Sequence, residues 1–160
     1  EVGCAAGAFT EMLAPLCERL TVVDVMPQAI ERTRLRTGKW SHISWVTCDI
    51  QRFSTTEQFD LIVVAEVLYY LRDVVEMHAA IRNLVSMLAP DETLIFGSAR
   101  DEICQRWGHA AGAETVIALF NESLSEIERR HCCTGSASED CLIVRFLKPG
   151  GASAQSNAGH

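Results

Sequence analysis

Apolar residues recur along this chain in two rhythms, a helical one and a continuous one, and the two alternate through most of its length. Phe9, Met12, Leu13, Leu16, Cys17 and Leu20 fall three and four residues apart, the spacing of one helix face. Thr10 and Glu11 suit the start of that helix, and Pro15 predicts a kink or a split within it. Leu20 to Val23 then reads as a short buried strand that ends at Asp24. Pro27 fits the first turn of a second helix, which runs to Thr37 and stops at Gly38. Ile43 to Thr47 is the next strand, followed by Cys48-Asp49-Ile50. Phe59 to Val64 is apolar without alternation, which implies a parallel strand buried on both faces. Asp73 and Glu76 have the spacing of a capping box. Behind them Val74, Met77, His78, Ile81, Leu84, Val85 and Leu88 make a helical stripe closed by Pro90-Asp91. Thr93 to Gly97 is a further strand.

Past Gly97 the alternation stops. Asp101 to Asn121 reads as helical or mixed, broken near Gly108 and Gly112. Two runs follow, Ser123–Cys132 and Cys141–Leu147, and the Thr134-Gly135-Ser136-Ala137-Ser138 stretch between them suits a hairpin turn, which makes them antiparallel. The expected architecture is therefore α/β, a Rossmann-like, doubly wound and mostly parallel sheet with a C-terminal antiparallel hairpin. Residues 1–148 form one domain in this reading. Residues 149–160 carry no core-forming pattern and are expected to be a disordered tail. The strand that should deliver Glu1 has almost no residues, so the domain is expected to lack its N-terminal part.

Composition narrows the function. The 160 residues are 48% hydrophobic and 22% charged, and 14 Lys+Arg against 21 Asp+Glu give a formal charge of −7. A nucleic-acid partner needs phosphate-neutralising cations, so none is expected. The one basic cluster, Arg32 to Arg36, lies on a surface helix. No transmembrane run or signal peptide is present, and no membrane partner is expected. The seven cysteines are scattered and odd in number. None forms C-x-x-C or sits at metal-ligand spacing from histidine, so free thiols, no metal, and a reducing cytoplasm are expected.

The candidate chemistry sits at the start. Glu1-Val2-Gly3-Cys4-Ala5-Ala6-Gly7 has the form of a strand end and a glycine turn before a helix, and Asp24 follows at roughly the 20-residue offset of a βαβ nucleotide site. A bare G-x-x-x-G also marks close backbone packing. Ala5 occupies the place where a dinucleotide loop carries the glycine that lets pyrophosphate approach. That disfavours NAD and favours a nucleoside cofactor without phosphates, which S-adenosylmethionine satisfies. Asp24 then accepts from the ribose hydroxyls, with no sequence neighbour suggesting a structural ion pair for it, and Glu1 faces the ammonium group.

In motif order the chain resembles the class I S-adenosylmethionine-dependent methyltransferases. Glu1 to Phe9 is similar to their glycine loop, Asp24 with Val25 to the ribose-binding acid and its neighbour, and Cys48-Asp49-Ile50 to the adenine segment. Ala65-Glu66-Val67-Leu68-Tyr69-Tyr70-Leu71 resembles the segment between methyl donor and acceptor. Within that class, Gly3–Thr10, Val23–Pro27, Arg106–His109 and Ala111–Val116 resemble the rhizobial nodulation protein S family.

The resemblance implies an N-methyltransferase that uses S-adenosylmethionine, releases S-adenosylhomocysteine, and acts on the free amine of the non-reducing glucosamine of a deacetylated chitooligosaccharide. Another small-molecule amine or hydroxyl acceptor, or a cofactor-binding module without chemistry, stays open. The expected cofactor residues are Glu1, Gly3, Gly7, Asp24, Val25, Asp49 and Ile50. Glu66 is the candidate to bind the ammonium form of the acceptor or take its proton, or else it only caps a turn. Tyr69 and Tyr70 are candidates for a sugar-binding face. Arg100, with Trp107 and His109, borders the acceptor by position after the fifth strand. The chain is expected to act as a monomer.

Overall fold

A computed structural model describes residues 1–133 and 140–150. The expected turn at 134–138 and, of the expected tail at 149–160, all but its first two residues lie outside the described residues. In chain order the elements are α1 (Ala8–Leu13), β1 (Leu20–Asp24), α2 (Pro27–Thr37), β2 (Ile43–Thr47), β3 (Phe59–Ala65), α3 (Val74–Met87), β4 (Leu88–Ala99), α4 (Asp101–Arg106), α5 (Ala113–Phe120), β5 (Ser125–Cys132) and β6 (Cys141–Leu147).

The strands lie in the order β2-β1 on one side and β3-β4-β6-β5 on the other. A single residue joins the two parts. Val2 bridges in parallel to Val23 of β1 and to Val64 of β3. Its N–H donates to Val63 O at 2.9 Å, Gly3 N–H donates to Val23 O at 2.8 Å, and Val23 N–H donates to Glu1 O at 2.9 Å. Strand β3 pairs in parallel with β4, whereas β6 runs antiparallel to both β4 and β5. The expected fold class is therefore the observed one. Strand β5 forms an edge, and Glu126, Glu128, Arg129 and Arg130 charge it, which discourages pairing with another chain.

Two main cores follow from this division, beside a small cluster of Tyr69, Ala99, Ile103 and Cys104. A small one beside β1 and β2 packs Cys4, Ala14, Leu20, Val22, Ala29, Ile30 and Ile43. The larger one spans β3, β4, β6, α3 and α5. At its centre Phe120 meets Phe96 and Phe146, with ring centroids 5.6 and 5.1 Å away. Each of these rings is fully buried.

Several local expectations change. The stripe around α1 divides: Phe9, Met12 and Leu16 are 45%, 67% and 80% exposed, while Leu13, Cys17 and Leu20 pack at the smaller core. The buried positions facing α2 are small residues, Gly7, Thr10 and Ala14. A Cβ on Gly7 would lie 2.9 Å from Thr33 Cα, so α1 and α2 approach too closely for bulky side chains to fit between them. Pro15 does end the α-helix, in a 3₁₀ turn at Ala14–Leu16. Helix α3 ends at Met87, before Pro90-Asp91, and β4 begins at once at Leu88 and runs to Ala99, beyond the expected Thr93–Gly97 at both ends. The capping box is half formed. Asp73 Oδ1 accepts Glu76 N–H at 2.9 Å, while the Glu76 carboxylate accepts Arg72 N–H rather than that of Asp73. The segment after β4 divides into α4 and α5.

Candidate functional site

The carboxyl end of β3, the turn after Val2 and the start of α1 enclose a cleft of about 290 Å³ lined by Glu1, Gly3, Cys4, Ala5, Phe9 and Ala65 among others. Its shape comes from the backbone. Gly3 and Gly7 adopt φ of 78° and 75°, where a side chain is strained. A Cβ on Gly3 would come within 2.2 Å of Val67 Cγ2. Ala5 also lies in the left-handed region, at φ 48°, and pays for a conformation that glycine adopts freely.

Asp24 stands at the tip of β1 and holds the loop. Its Oδ2 accepts Cys4 N–H at 2.9 Å, and its Oδ1 accepts Met26 N–H at 2.8 Å. Through these two backbone hydrogen bonds it fastens the glycine turn to β1. Val25 and Met26 beside it are apolar yet 61% and 54% exposed.

Glu1 supplies a test of what the cleft would hold. Its Oε2 is buried and has no hydrogen-bond partner, and burial raises its pKa. A cationic group entering beside it would satisfy that oxygen. A nucleoside carrying an amino acid and a sulfonium fits this demand.

Asp49 lies across the tip of β1, in a turn where its Oδ1 accepts Gln51 N–H at 2.9 Å. Cys48 N–H donates to Asp24 O at 3.0 Å, which ties this turn to the one holding the loop. Ile50 is 6% exposed and belongs to the larger core. Its side chain is therefore an anchor for the turn.

Beyond β3 the chain forms a second constellation. Glu66 takes φ 54°, unusual for a side chain of its size. Its N–H donates to Gly97 O at 2.9 Å. Withdrawal of its carboxyl from water raises its pKa, against lowering hydrogen bonds from Tyr69 and from the Ala99 backbone. Tyr69 is buried and Tyr70 exposed, and Tyr69 Oη lies 3.5 Å from Tyr70 Oη. The His109 ring sits 5.0 Å from Tyr69 and 5.2 Å from Tyr70, and Trp107 meets Tyr69 edge-on at 6.2 Å. Glu66, Tyr69, Tyr70, Trp107 and His109 thus come together.

Arg100 does not join them. Its guanidinium is bound to Glu114 and lies 3.7 Å from Asp140. It lines a separate charged hollow of about 230 Å³ with Glu102, Ile103, Arg106, Glu114 and Asp140. The neighbouring Asp101 instead governs the loop that carries Trp107 and His109. Its carboxylate accepts Gly112 N–H at 2.7 Å and Thr115 Oγ1–H at 2.6 Å, so the loop is pinned where α5 begins. Gly112 is required there, since a Cβ would sit 2.7 Å from Ala99 O.

Among the described residues no group of His, Cys, Asp and Glu could hold a metal ion, and no helix is long and apolar enough to cross a membrane. The seven cysteines are free, and burial pushes the Cys4 and Cys104 thiols up to about 11.

A mostly parallel sheet with an antiparallel hairpin, a glycine turn pinned by the acid of the next strand, and a cleft bordered by an unpartnered buried carboxylate oxygen are together the framework of a class I S-adenosylmethionine-dependent methyltransferase. Comparison with known proteins places it more closely. The sequence model of the Nodulation protein S (NodS) family matches residues 1–153, and the chain belongs to that family. It is 64% identical to Nodulation protein S of Rhizobium tropici over 149 residues, 93% of this chain and 63% of that protein. With Nodulation protein S of Sinorhizobium fredii (strain NBRC 101917 / NGR234) it shares 63% over 148 residues, 92% of this chain and 68% of that one. The chain thus spans about two thirds of the length of these relatives. Its fold matches a crystal structure of N-methyltransferase NodS from Bradyrhizobium japonicum WM9 in complex with S-adenosyl-L-homocysteine. That match has a TM-score of 0.91 and 64% identity, over 92% of this chain and 76% of the other.

Proposed function

We propose that this chain transfers a methyl group from S-adenosylmethionine to the free amine of the non-reducing glucosamine of a deacetylated chitooligosaccharide. It does so as a monomer in the cytoplasm, a setting its seven free thiols suit. The observation that carries the reading is the 64% identity with a NodS N-methyltransferase whose structure contains S-adenosyl-L-homocysteine.

The cofactor supplies an electrophilic methyl on a positively charged sulfur, with no general acid required for the leaving group. Glu1 would face its ammonium, Gly3 and Gly7 its amino-acid end, Asp24 the ribose hydroxyls, and Val25 the adenine plane. Asp49 would accept from the adenine amino group, on a turn that Ile50 anchors. What remains for the protein is alignment and a proton. Orienting the acceptor nitrogen in line supplies most of the acceleration. Glu66, at the rim between cleft and aromatic cluster, binds the ammonium form of the acceptor and takes the proton that the nitrogen must lose. The raised pKa of Glu66 brings it nearer to the working pH of such a base. Tyr70 and His109 offer ring faces to the apolar side of a sugar, and buried Tyr69 backs them.

The experiment has two arms. Calorimetry with S-adenosylhomocysteine and with NAD tests the cleft, and NAD binding at micromolar affinity would overturn its assignment. Turnover is measured on a chimera in which this chain replaces the matching span of the Rhizobium tropici protein. Methylation of a deacetylated chitooligosaccharide, with simple amines and hydroxyl acceptors ignored, is the expected result. Preference for another small acceptor would keep the cofactor and discard the sugar.

A further inference from the structure

The Cys48–Phe53 turn is held by one residue that the assigned roles leave unused. Asn83 lies within α3, and its Nδ2 donates to Ile50 O at 2.8 Å and to Phe53 O at 2.7 Å. Asparagine is a poor helix former and has no propensity reason to occupy the middle of this helix. Its neighbours on the packed face, Ala80, Ile81, Leu84 and Met87, are apolar and buried.

The two bonds bracket the turn. Between and before them lie Asp49, whose Oδ1 accepts Gln51 N–H, and Asp49 O, which accepts both Arg52 N–H and Phe53 N–H at 2.9 Å. On its other flank, Cys48 N–H is fixed by Asp24 O at 3.0 Å. Among the described residues the turn is attached at the β1 tip, through the Ile50 and Phe53 side chains at the larger core, and through the Asn83 amide. The Asn83 amide reaches in from α3 and binds the turn's own main chain. The Asp49 Oδ2 atom has no protein partner among the described residues.

We propose that Asn83 is a positioning residue for the base end of the cofactor site: it sets the Cys48–Phe53 turn so that Asp49 reads the exocyclic amino group of a purine. This rests on the assignment of the cleft to S-adenosylmethionine. Asn83 touches no ligand. It acts by fixing two carbonyls whose peptide planes orient the turn that carries Asp49. A carboxamide suits the task because one NH₂ group presents two donors to two acceptors. Aspartate, of the same shape, would place an acceptor against two carbonyls. Serine could reach at most one.

The test uses two probes, S-adenosylhomocysteine and S-inosylhomocysteine, which differ by an amino group against an oxo group at the purine 6-position. Wild-type chain should prefer the adenosyl compound, and this result checks the cleft assignment by itself. In Asn83→Ala the affinity for S-adenosylhomocysteine should fall about tenfold, the effect of losing one or two well-formed hydrogen bonds. The preference over the inosyl compound should collapse in parallel. Asn83→Asp should behave like alanine and Asn83→Ser should fall between. Should the alanine variant fail to fold, the serine and aspartate variants carry the same comparison.

In an Asp49→Ala background, Asn83→Ala should add little further loss, because both act on one contact. A purely structural role would lower the melting temperature and weaken both probes equally. The proposal is overturned if Asn83→Ala keeps the wild-type preference between the two probes, or if its loss adds in full to that of Asp49→Ala. Wild-type failure to bind either probe would instead remove the cleft assignment.

Discussion

On the β1 side of Val2 the protein shapes its cleft with main chain; on the β3 side it builds a surface of side chains. The first side uses glycines at φ 78° and 75°, a helix start, and Asp24 clamping two N–H groups. Its core is small, and at Gly7 the main chain leaves no room for a Cβ beside Thr33. The second side has the larger core, with Phe96, Phe120 and Phe146 packed together. At its upper edge stand Glu66, two tyrosines, Trp107 and His109. A site of the first kind tolerates few changes at few positions, because each residue is fixed by backbone geometry. A site of the second kind can alter its surface while its framework stays in place.

Four measurements would break or sharpen that contrast. The largest effect is expected from Phe120→Ala, which removes the middle ring of the stack and should cost about 3–5 kcal/mol of stability. Denaturant unfolding checks this, and the fraction that stays folded should bind S-adenosylhomocysteine as wild type does. Loss of affinity in that folded fraction would mean the two sides are not separable.

Asp24→Ala should weaken S-adenosylhomocysteine binding by about 2–4 kcal/mol, the value of charge-assisted hydrogen bonds to two hydroxyls. It should also lower stability, because Cys4 and Met26 lose their acceptor. A folded mutant with unchanged affinity would remove the ribose role.

Glu66→Gln should lower turnover of the chimera by roughly 10²-fold with cofactor affinity nearly unchanged. Stability moves the other way. The folded-state pKa of Glu66 is raised, so its favourable contribution exists at low pH, where the carboxyl is protonated in both states, and is lost as pH rises through the folded value. At neutral pH the glutamine variant should therefore melt higher than wild type, and the gap should close in acid. Equal turnover from pH 6 to 9 would leave Glu66 as a turn residue.

The smallest change is Ala5→Gly. Relief of the left-handed alanine, partly offset by a more flexible unfolded chain, should raise stability by about 0.5–1 kcal/mol. A loss would show that the Ala5 methyl group packs usefully in the cleft.

The alternation of strands and helices was legible because burial on two faces and burial on one leave different spacings. The glycine turn and Asp24 were legible for a related reason: φ above zero and a strand-tip acid restrict residue identity at fixed offsets. The outward turn of Phe9, Met12 and Leu16 was not. Hydrophobicity marks them as packed along with Leu13 and Cys17, but the close approach of α1 to α2 puts Gly7, Thr10 and Ala14 in the fully buried positions. The structural bonds of Asp24 were hidden because they run to backbone N–H groups, which carry no residue signature. The meeting of Tyr69 with His109 was equally invisible. Nothing in either local sequence points to the other, and only the return of the chain through β4 and α4 brings them together. Arg100 had the right position after a strand and the wrong direction, a distinction that only its partners Glu114 and Asp140 make.

The single-residue joint at Val2 gives the molecule a clock. Its N–H, held by Val63 O in the middle of the sheet, can trade its hydrogen for deuterium from solvent only when the two sides part. The lifetime of that one amide therefore counts openings of the joint and ignores fraying at the edges. The cleft touches both sides, through Glu1 to Ala6 and through Val63 and Ala65. A ligand filling it should slow this exchange in proportion to its concentration over its dissociation constant. The amide at the centre of the fold would then report occupancy of the site without a label on the ligand.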